Sequence, residues 1–233
     1  MGEQFYWGET IMENIFIITE GQAEEKFYKS VFADYFGPTF NFQVTCMPNK
    51  RNAYSRINKG GTISYDLCVK NINRFIKGAT HCNKVFLIYD YYGLHKSFFN
   101  GYSGYDNTNK KINFIISKLE NEINNPKFKF ILQVHEFEAF LFSKPEEIVK
   151  HYNNLGLLKE FNSILSRHNN NPEEINDSPD TAPSKRIINI FPQYEFGKTS
   201  DGIVIAKNIG IDNIRKRCEN FNNFCSLLQN SQK

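Results

Sequence analysis

The residues with the most chemistry to offer are acids, and each falls where an apolar run stops. Ile15-Phe16-Ile17-Ile18 runs into Glu20-Gly21, Lys84–Tyr89 (KVFLIY) into Asp90, and Phe128–Val134 (FKFILQV) into His135-Glu136-Phe137-Glu138. Carboxylates gathered in one place repel one another unless a cation neutralises them. Hard oxygen donors without a Cys or His cage suit Mg²⁺ or Mn²⁺. Such sites activate water and stabilise charge on a phosphate undergoing displacement. The plainer alternative is that each acid occupies the first turn of a following helix, where the dipole favours it, or pairs with a lysine.

For the acids to meet, the runs before them must be neighbouring parallel strands. Short apolar runs rich in β-branched residues read as buried strands. After the first, Ala23, Phe27, Val31 and Phe32 share one face of a helix expected over 23–35, stopped by Gly37-Pro38. Phe40–Met47 alternates and reads as a second strand. A loop is expected over 48–61, carrying Lys50, Arg51, Arg56 and Lys59. Ser64 is placed to cap a helix over 65–77. The third strand leads into a long aromatic loop, Tyr91–Asp106, then a helix over 109–123 and the fourth strand. This β-α-β-α-β-α-β order implies α/β architecture: a Rossmann-like, mainly parallel four-stranded sheet with helices on both faces and right-handed crossovers. Ligands collect at the carboxyl edge of such sheets. Past Ser143 the texture turns helical, at 145–153, 155–168, 183–191 and 211–228. The expected organisation is an α/β domain over 12–143 and a helical C-terminal part, 144–233, packed on it.

Composition narrows the function classes. The chain has 233 residues and a net charge of +3, too little to mark a nucleic-acid binder by charge alone. Five cysteines without a CxxC pair argue against a disulfide framework or a zinc ribbon and fit a reducing cytoplasm. No apolar run approaches the ~20 residues a membrane helix needs. Glu3, Glu9 and Glu13 with no basic start do not suit a signal peptide.

Other residues carry two readings each. His135 beside the acids could take a proton from water or bind a metal, or be a hydrogen-bonded structural residue. Glu24, one helical turn past Glu20, is a further ligand or an exposed first-turn acid. Lys185 and Arg186, following Thr181-Ala182-Pro183-Ser184 at a helix start, could hold a phosphate or be solvated. Lys50, Arg51, Arg56 and Lys59 could contact a nucleic-acid backbone, though charge runs are commonly just solvated. The aromatics of 91–105 could stack bases or fold the loop onto the core.

Four motifs together resemble one family. They are Glu20-Gly21 with Glu24, YDYYG at 89–93, HEFEAFLFSKPEE at 135–147 and NDSPDTAPSKR at 176–186, with IGIDNIRKRC at 209–218 extending the likeness. The family is that of Toprim-like bacterial proteins known as a conserved domain of unknown function, often encoded beside an ATPase of the ABC/AAA type and suspected in phage defence. The resemblance implies a Toprim fold and a Mg²⁺- or Mn²⁺-dependent nuclease related to OLD-type enzymes. Its metal would be held by Glu20, Asp90 and Glu138, with Glu136 and Glu24 as further ligands. It implies an Asp-x-Asp pair after the third strand, of which only Asp90 is present, Tyr92 standing at the second position. OLD-like nucleases also use a late lysine, matched here by Lys185. Nucleic acid as substrate, an ATPase as partner and a possible homodimer are the associations it suggests. The alternative is a non-catalytic, Toprim-like partner or regulatory subunit of that ATPase.

Overall fold

The computed structural model describes residues 12–51, 57–59, 62–104, 107–175 and 181–230, with the backbone alone at 49–51 and 57–59. Strand β1 (Glu13–Thr19) leads into α1 (Gln22–Phe27), which continues through a π-helical turn, Tyr28–Phe32, into α2 (Ala33–Phe36). Then come β2 (Phe40–Cys46), β3 (Pro48–Arg51), β4 (Ile57–Lys59), α3 (Tyr65–Gly78), β5 (Lys84–Asp90), α4 (Thr108–Ile123) and β6 (Phe128–Gln133). A 3₁₀ segment, Phe137–Ser143, opens the helical remainder. That part holds α5 (Pro145–His151), α6 (Leu158–Ser166), α7 (Pro183–Ile190), α8 (Tyr194–Gly197), α9 (Asp201–Ile209), α10 (Ile211–Arg217) and α11 (Glu219–Gln229).

The main sheet is parallel throughout, in the order β2-β1-β5-β6. Its strands are apolar on both faces because both faces are covered. In β1, Ile15 and Ile17 enter one core while Phe16 and Ile18 enter the other. In β5, Phe86 and Ile88 alternate with Val85 and Leu87 in the same way. The second core is closed by Cys68 and Ile72 of α3 and by Ile115 and Leu119 of α4. Ser64 caps α3 as expected, accepting the Leu67 N–H at 3.4 Å.

The first core joins the α1–α2 helix to the C-terminal helices, down to Phe221, Phe224 and Leu228 of α11. Phe224 stacks on Phe32 at 5.6 Å and meets Phe86 of β5 edge-on at 5.3 Å. Residues beyond Ser143 therefore supply much of the layer on one sheet face. Both layers and the sheet make a doubly wound sandwich of α/β type with C-terminal helices.

Three stretches differ from the sequence expectation. Residues 48–51 and 57–59 pair antiparallel as a small hairpin rather than a plain loop, with Pro48 opposite Lys59 and Arg51 opposite Ile57. Their sequences, PNKR and INK, carry no alternation of apolar and polar residues and so gave no periodic signal. The helix expected over 211–228 is two helices, because Cys218 is extended (φ −120°, ψ 98°). Finally, α8 and α9 occupy 194–209, where no helix was expected. Gly202 and the β-branched run Ile203-Val204-Ile205 have weak helix propensity. Packing of Ile205, Ala206 and Ile209 in the first core holds α9 instead. No helix among the described residues is long and apolar enough to cross a membrane.

Candidate functional site at the carboxyl ends of the strands

The chain leaves β1 for β2 on one side and returns to β5 on the other, so the crevice between β1 and β5 is the topological switch point. Thr19 pairs with Ile88, which brings the residues just beyond into contact. Glu20 follows Thr19, and its Oε2 accepts the Asp90 backbone N–H at 3.2 Å. Asp90 ends β5, and its Oδ1 accepts the Tyr92 N–H at 2.9 Å.

Two glycines make room for these carboxylates. A Cβ on Gly93 would stand 2.7 Å from Glu20 Oε2, and one on Gly21 would stand 2.5 Å from Glu24 Oε2. Both lie inside the contact distance a side chain tolerates. Glu24, in the first turn of α1, thereby folds back toward Glu20 rather than out to solvent.

The other wall comes from the segment after β6. Glu136 Oε2 accepts the Ser184 backbone N–H at 3.2 Å. The N-cap of α7, Ala182, has no side-chain acceptor, so Glu136 satisfies that helix end from another element. Glu138 is buried in the 3₁₀ segment, and its Oε1 accepts the Tyr194 hydroxyl at 3.3 Å.

The five acids Glu20, Glu24, Asp90, Glu136 and Glu138 line one open cavity of about 430 Å³, with Tyr92, Ser184, Lys198 and Thr199 on its rim and walls. Burial and the neighbouring charges raise the proton affinities of Glu20, Glu24, Asp90 and Glu138. Burial, then the charges of Asp90 and Glu24, push Glu20 up to about 8. Glu138 also rises to about 8, by burial and then Glu136 and Glu24. Burial lifts Glu24 to about 7, with Asp90 and Glu136 adding. Asp90 reaches about 6 by burial, held back by the Tyr92 N–H and raised by Glu136. Near neutral pH the cluster thus retains protons in place of a counter-ion.

The donor set is all oxygen, which fits Mg²⁺ or Mn²⁺ in kind. Among the described residues, however, no three His, Cys, Asp or Glu side chains form a group able to hold a metal ion as they stand. The acids nonetheless share one cavity.

The remaining candidates sort clearly. Lys185 is exposed in the first turn of α7 and does not line the cavity. Arg186 donates through Nε to the Thr181 carbonyl at 2.6 Å and is likewise off the cavity. The lysine on the cavity wall is Lys198, whose charge pulls the Glu138 pKa down. It sits one helical turn after Tyr194, so both reach the same side. The sequence signal for it is the polar run Gly197-Lys198-Thr199-Ser200 between apolar stretches.

His135 is fully buried and structural in its contacts. Its Nε2 lies 3.1 Å from Glu173 Oε1 and its Nδ1 3.2 Å from the Glu136 carbonyl. Glu173 also accepts the N–H groups of Asn220 and Phe221 at the start of α11. Burial pulls the Glu173 pKa up, but the bonds from His135 and those N–H groups outweigh it and leave it below its usual value.

Lys50, Arg51 and Lys59 fall in β3 and β4, described here by backbone only, and Arg56 lies outside the described residues. In the loop after β5, Phe98 is buried edge-on to Tyr65 at 5.2 Å, and Tyr102 packs on Phe114 at 5.4 Å. Those aromatics fold the loop down. Tyr92 is the exception, 52% exposed.

Fold and site together define a doubly wound α/β protein with an acidic crevice at its switch point. Residues 19–229 match the profile of a family described as a domain of unknown function (DUF4276), and the chain belongs to that family. No curated protein and no solved structure matches it.

Proposed function

We propose that the chain is a divalent-metal-dependent phosphodiesterase acting on nucleic acid, a nuclease of Toprim-like type. The observation that carries this reading is the gathering of Glu20, Glu24, Asp90, Glu136 and Glu138 with Lys198 around one cavity at the switch point. Glu20, Asp90 and Glu138 are the first candidates to hold Mg²⁺ or Mn²⁺, with Glu24 and Glu136 beside them. A bound ion would supply charge neutralisation for the phosphate and a more acidic water. Lys198 offsets charge building on the phosphate oxygens, a role expected of Lys185 from sequence. Tyr194 holds Glu138, and the Asp90 N–H holds Glu20, so the carboxylates are oriented before substrate arrives. A carboxylate at this site that has released its proton is also placed to accept one from the attacking water.

A second reading is a non-catalytic, Toprim-like subunit of an ABC/AAA-type ATPase in a phage-defence system of the cytoplasm. What favours it is that no three acids among the described residues are already grouped for an ion and that Tyr92 stands where the resemblance implies an acid. The test is cleavage of a panel of DNA and RNA, tRNA included, with Mg²⁺ or Mn²⁺, with and without the ATPase encoded alongside. Wild type cleaves, whereas Glu20→Ala and Asp90→Ala lose at least 100-fold (roughly, for loss of a group stabilising the transition state). Equal activity in all three rejects the nuclease.

A further inference from the structure

We infer that Tyr92 is a stacking platform for an unpaired nucleobase, so that the substrate at this site is single-stranded or locally unpaired. The inference rests on the nuclease reading for its ligand class and deepens it. Tyr92 lines the acidic cavity and leaves 52% of its surface in solvent. Its backbone is pinned, since its N–H donates to Asp90 at 2.9 Å. Its ring is pinned too. The rings of Tyr92 and Tyr91 meet in a T shape at 5.2 Å and 84°, and those of Tyr91 and Phe99 in another at 5.8 Å and 78°. A ladder of rings therefore runs from the loop's packed side to the cavity rim and ends in a half-exposed ring.

A ring held against a neighbour in this way, with half of its surface still open, has room for a partner and little rotamer freedom left to lose on binding. Every base offers a π-face, so such a ring binds bases without reading sequence. A base inside a duplex already stacks on its neighbours and has no free face. The position relative to chemistry is also apt. Tyr92 is two residues from Asp90, and Lys198 lies on the same cavity for the adjoining phosphate. A base on Tyr92 would thus set its phosphate over the carboxylates.

The test uses the full chain, with Ca²⁺ present to support binding, and a short oligothymidylate carrying one 2-aminopurine, whose fluorescence is quenched by stacking. Wild type binds and quenches. Tyr92→Ala binds about 10-fold more weakly, as loss of one stacked base implies, and quenches less, while Tyr92→Trp restores both. Equal binding by Tyr92→Ala, or preference of wild type for blunt duplex over single strand, overturns the inference. The cleavage comparison of Glu20→Ala and Asp90→Ala is read separately. Tyr92-dependent quenching without any cleavage leaves the platform standing and removes the catalytic reading. Cleavage that ignores Tyr92 does the reverse.

Discussion

The backbone N–H of Asp90 donates to Oε2 of Glu20 across 3.2 Å, joining residues 70 positions apart in the chain. The bond works because β1 and β5 are neighbours and both end at that edge. Gly93, three residues past the end of β5, leaves the space into which the Glu20 carboxylate fits. Four expectations follow from these contacts.

Gly93→Ala separates site from fold. The Cβ would displace the end of the flexible Glu20 side chain rather than backbone, so the thermal midpoint changes little. Glu20 moves by about 1 Å, which is enough to cost about 100-fold in activity. Gly78→Ala, where a Cβ meets nothing within 4 Å, serves as the control and leaves activity unchanged. Calorimetry and a cleavage assay on both variants decide it; a Gly93→Ala enzyme of wild-type activity would count against the placement of Glu20.

Lys198→Ala lowers cleavage about 100-fold, whereas Lys185→Ala stays within about twofold, given that only Lys198 reaches the cavity. The loss appears in kcat more than in KM if the lysine meets charge that develops during the reaction. The opposite ranking of the two lysines would restore the sequence expectation.

Stability without divalent ions depends on pH with a defined sign. Glu20 titrates near 8 in the fold against 4.5 when free, and Glu138 likewise. The folded chain therefore holds protons that the unfolded chain has released. The stability these two groups contribute is fullest below about 4.5 and is lost as pH rises through about 8. Added Mn²⁺ opposes this by replacing the protons, so its effect on the melting temperature grows with pH. Melting curves in EDTA and in Mn²⁺ at both ends of that range measure it. The double variant Glu20→Gln with Glu138→Gln flattens both trends, and an identical pH slope in that variant would assign the effect elsewhere.

His135 and Glu173 belong to the scaffold. Glu173→Ala leaves His135 and the start of α11 without their shared acceptor and costs about 3–5 kcal/mol, as breaking one side of a buried pair does. Urea denaturation gives the loss. Activity per folded molecule for His135→Asn stays near wild type, because the ring does not line the cavity. A large fall in kcat with stability intact would return His135 to the chemistry.

Much of the crevice was legible along the chain. Short apolar runs rich in β-branched residues read as strands covered on both faces, and an acid at the end of each is a local feature. Glu20, Asp90, Glu136 and Glu138 needed only the inference that consecutive β-α-β units are parallel. Glu24 was legible as a first-turn acid, but its turn back into the cavity depends on the missing Cβ of Gly21. The lysine that lines the cavity escaped the sequence reading for a similar reason. Lys185 stands at a recognisable helix start, while Lys198 follows a four-residue helix with weak propensity that only tertiary packing stabilises.

By itself, then, the sequence determined the parallel sheet and the edge on which its acids lie, because apolar runs and the β-α-β alternation are decided within a few dozen residues, while the strand order β2-β1-β5-β6 that makes the acids neighbours was left to the fold. Tertiary structure alone decided that Ser184, Tyr194 and Lys198 close the far wall and that His135 turns away to Glu173. Those contacts join residues roughly 40–60 positions apart in sequence. Their pairing depends on how the helices after Ser143 bury their apolar faces on the sheet, a choice made by side-chain packing rather than by any local pattern.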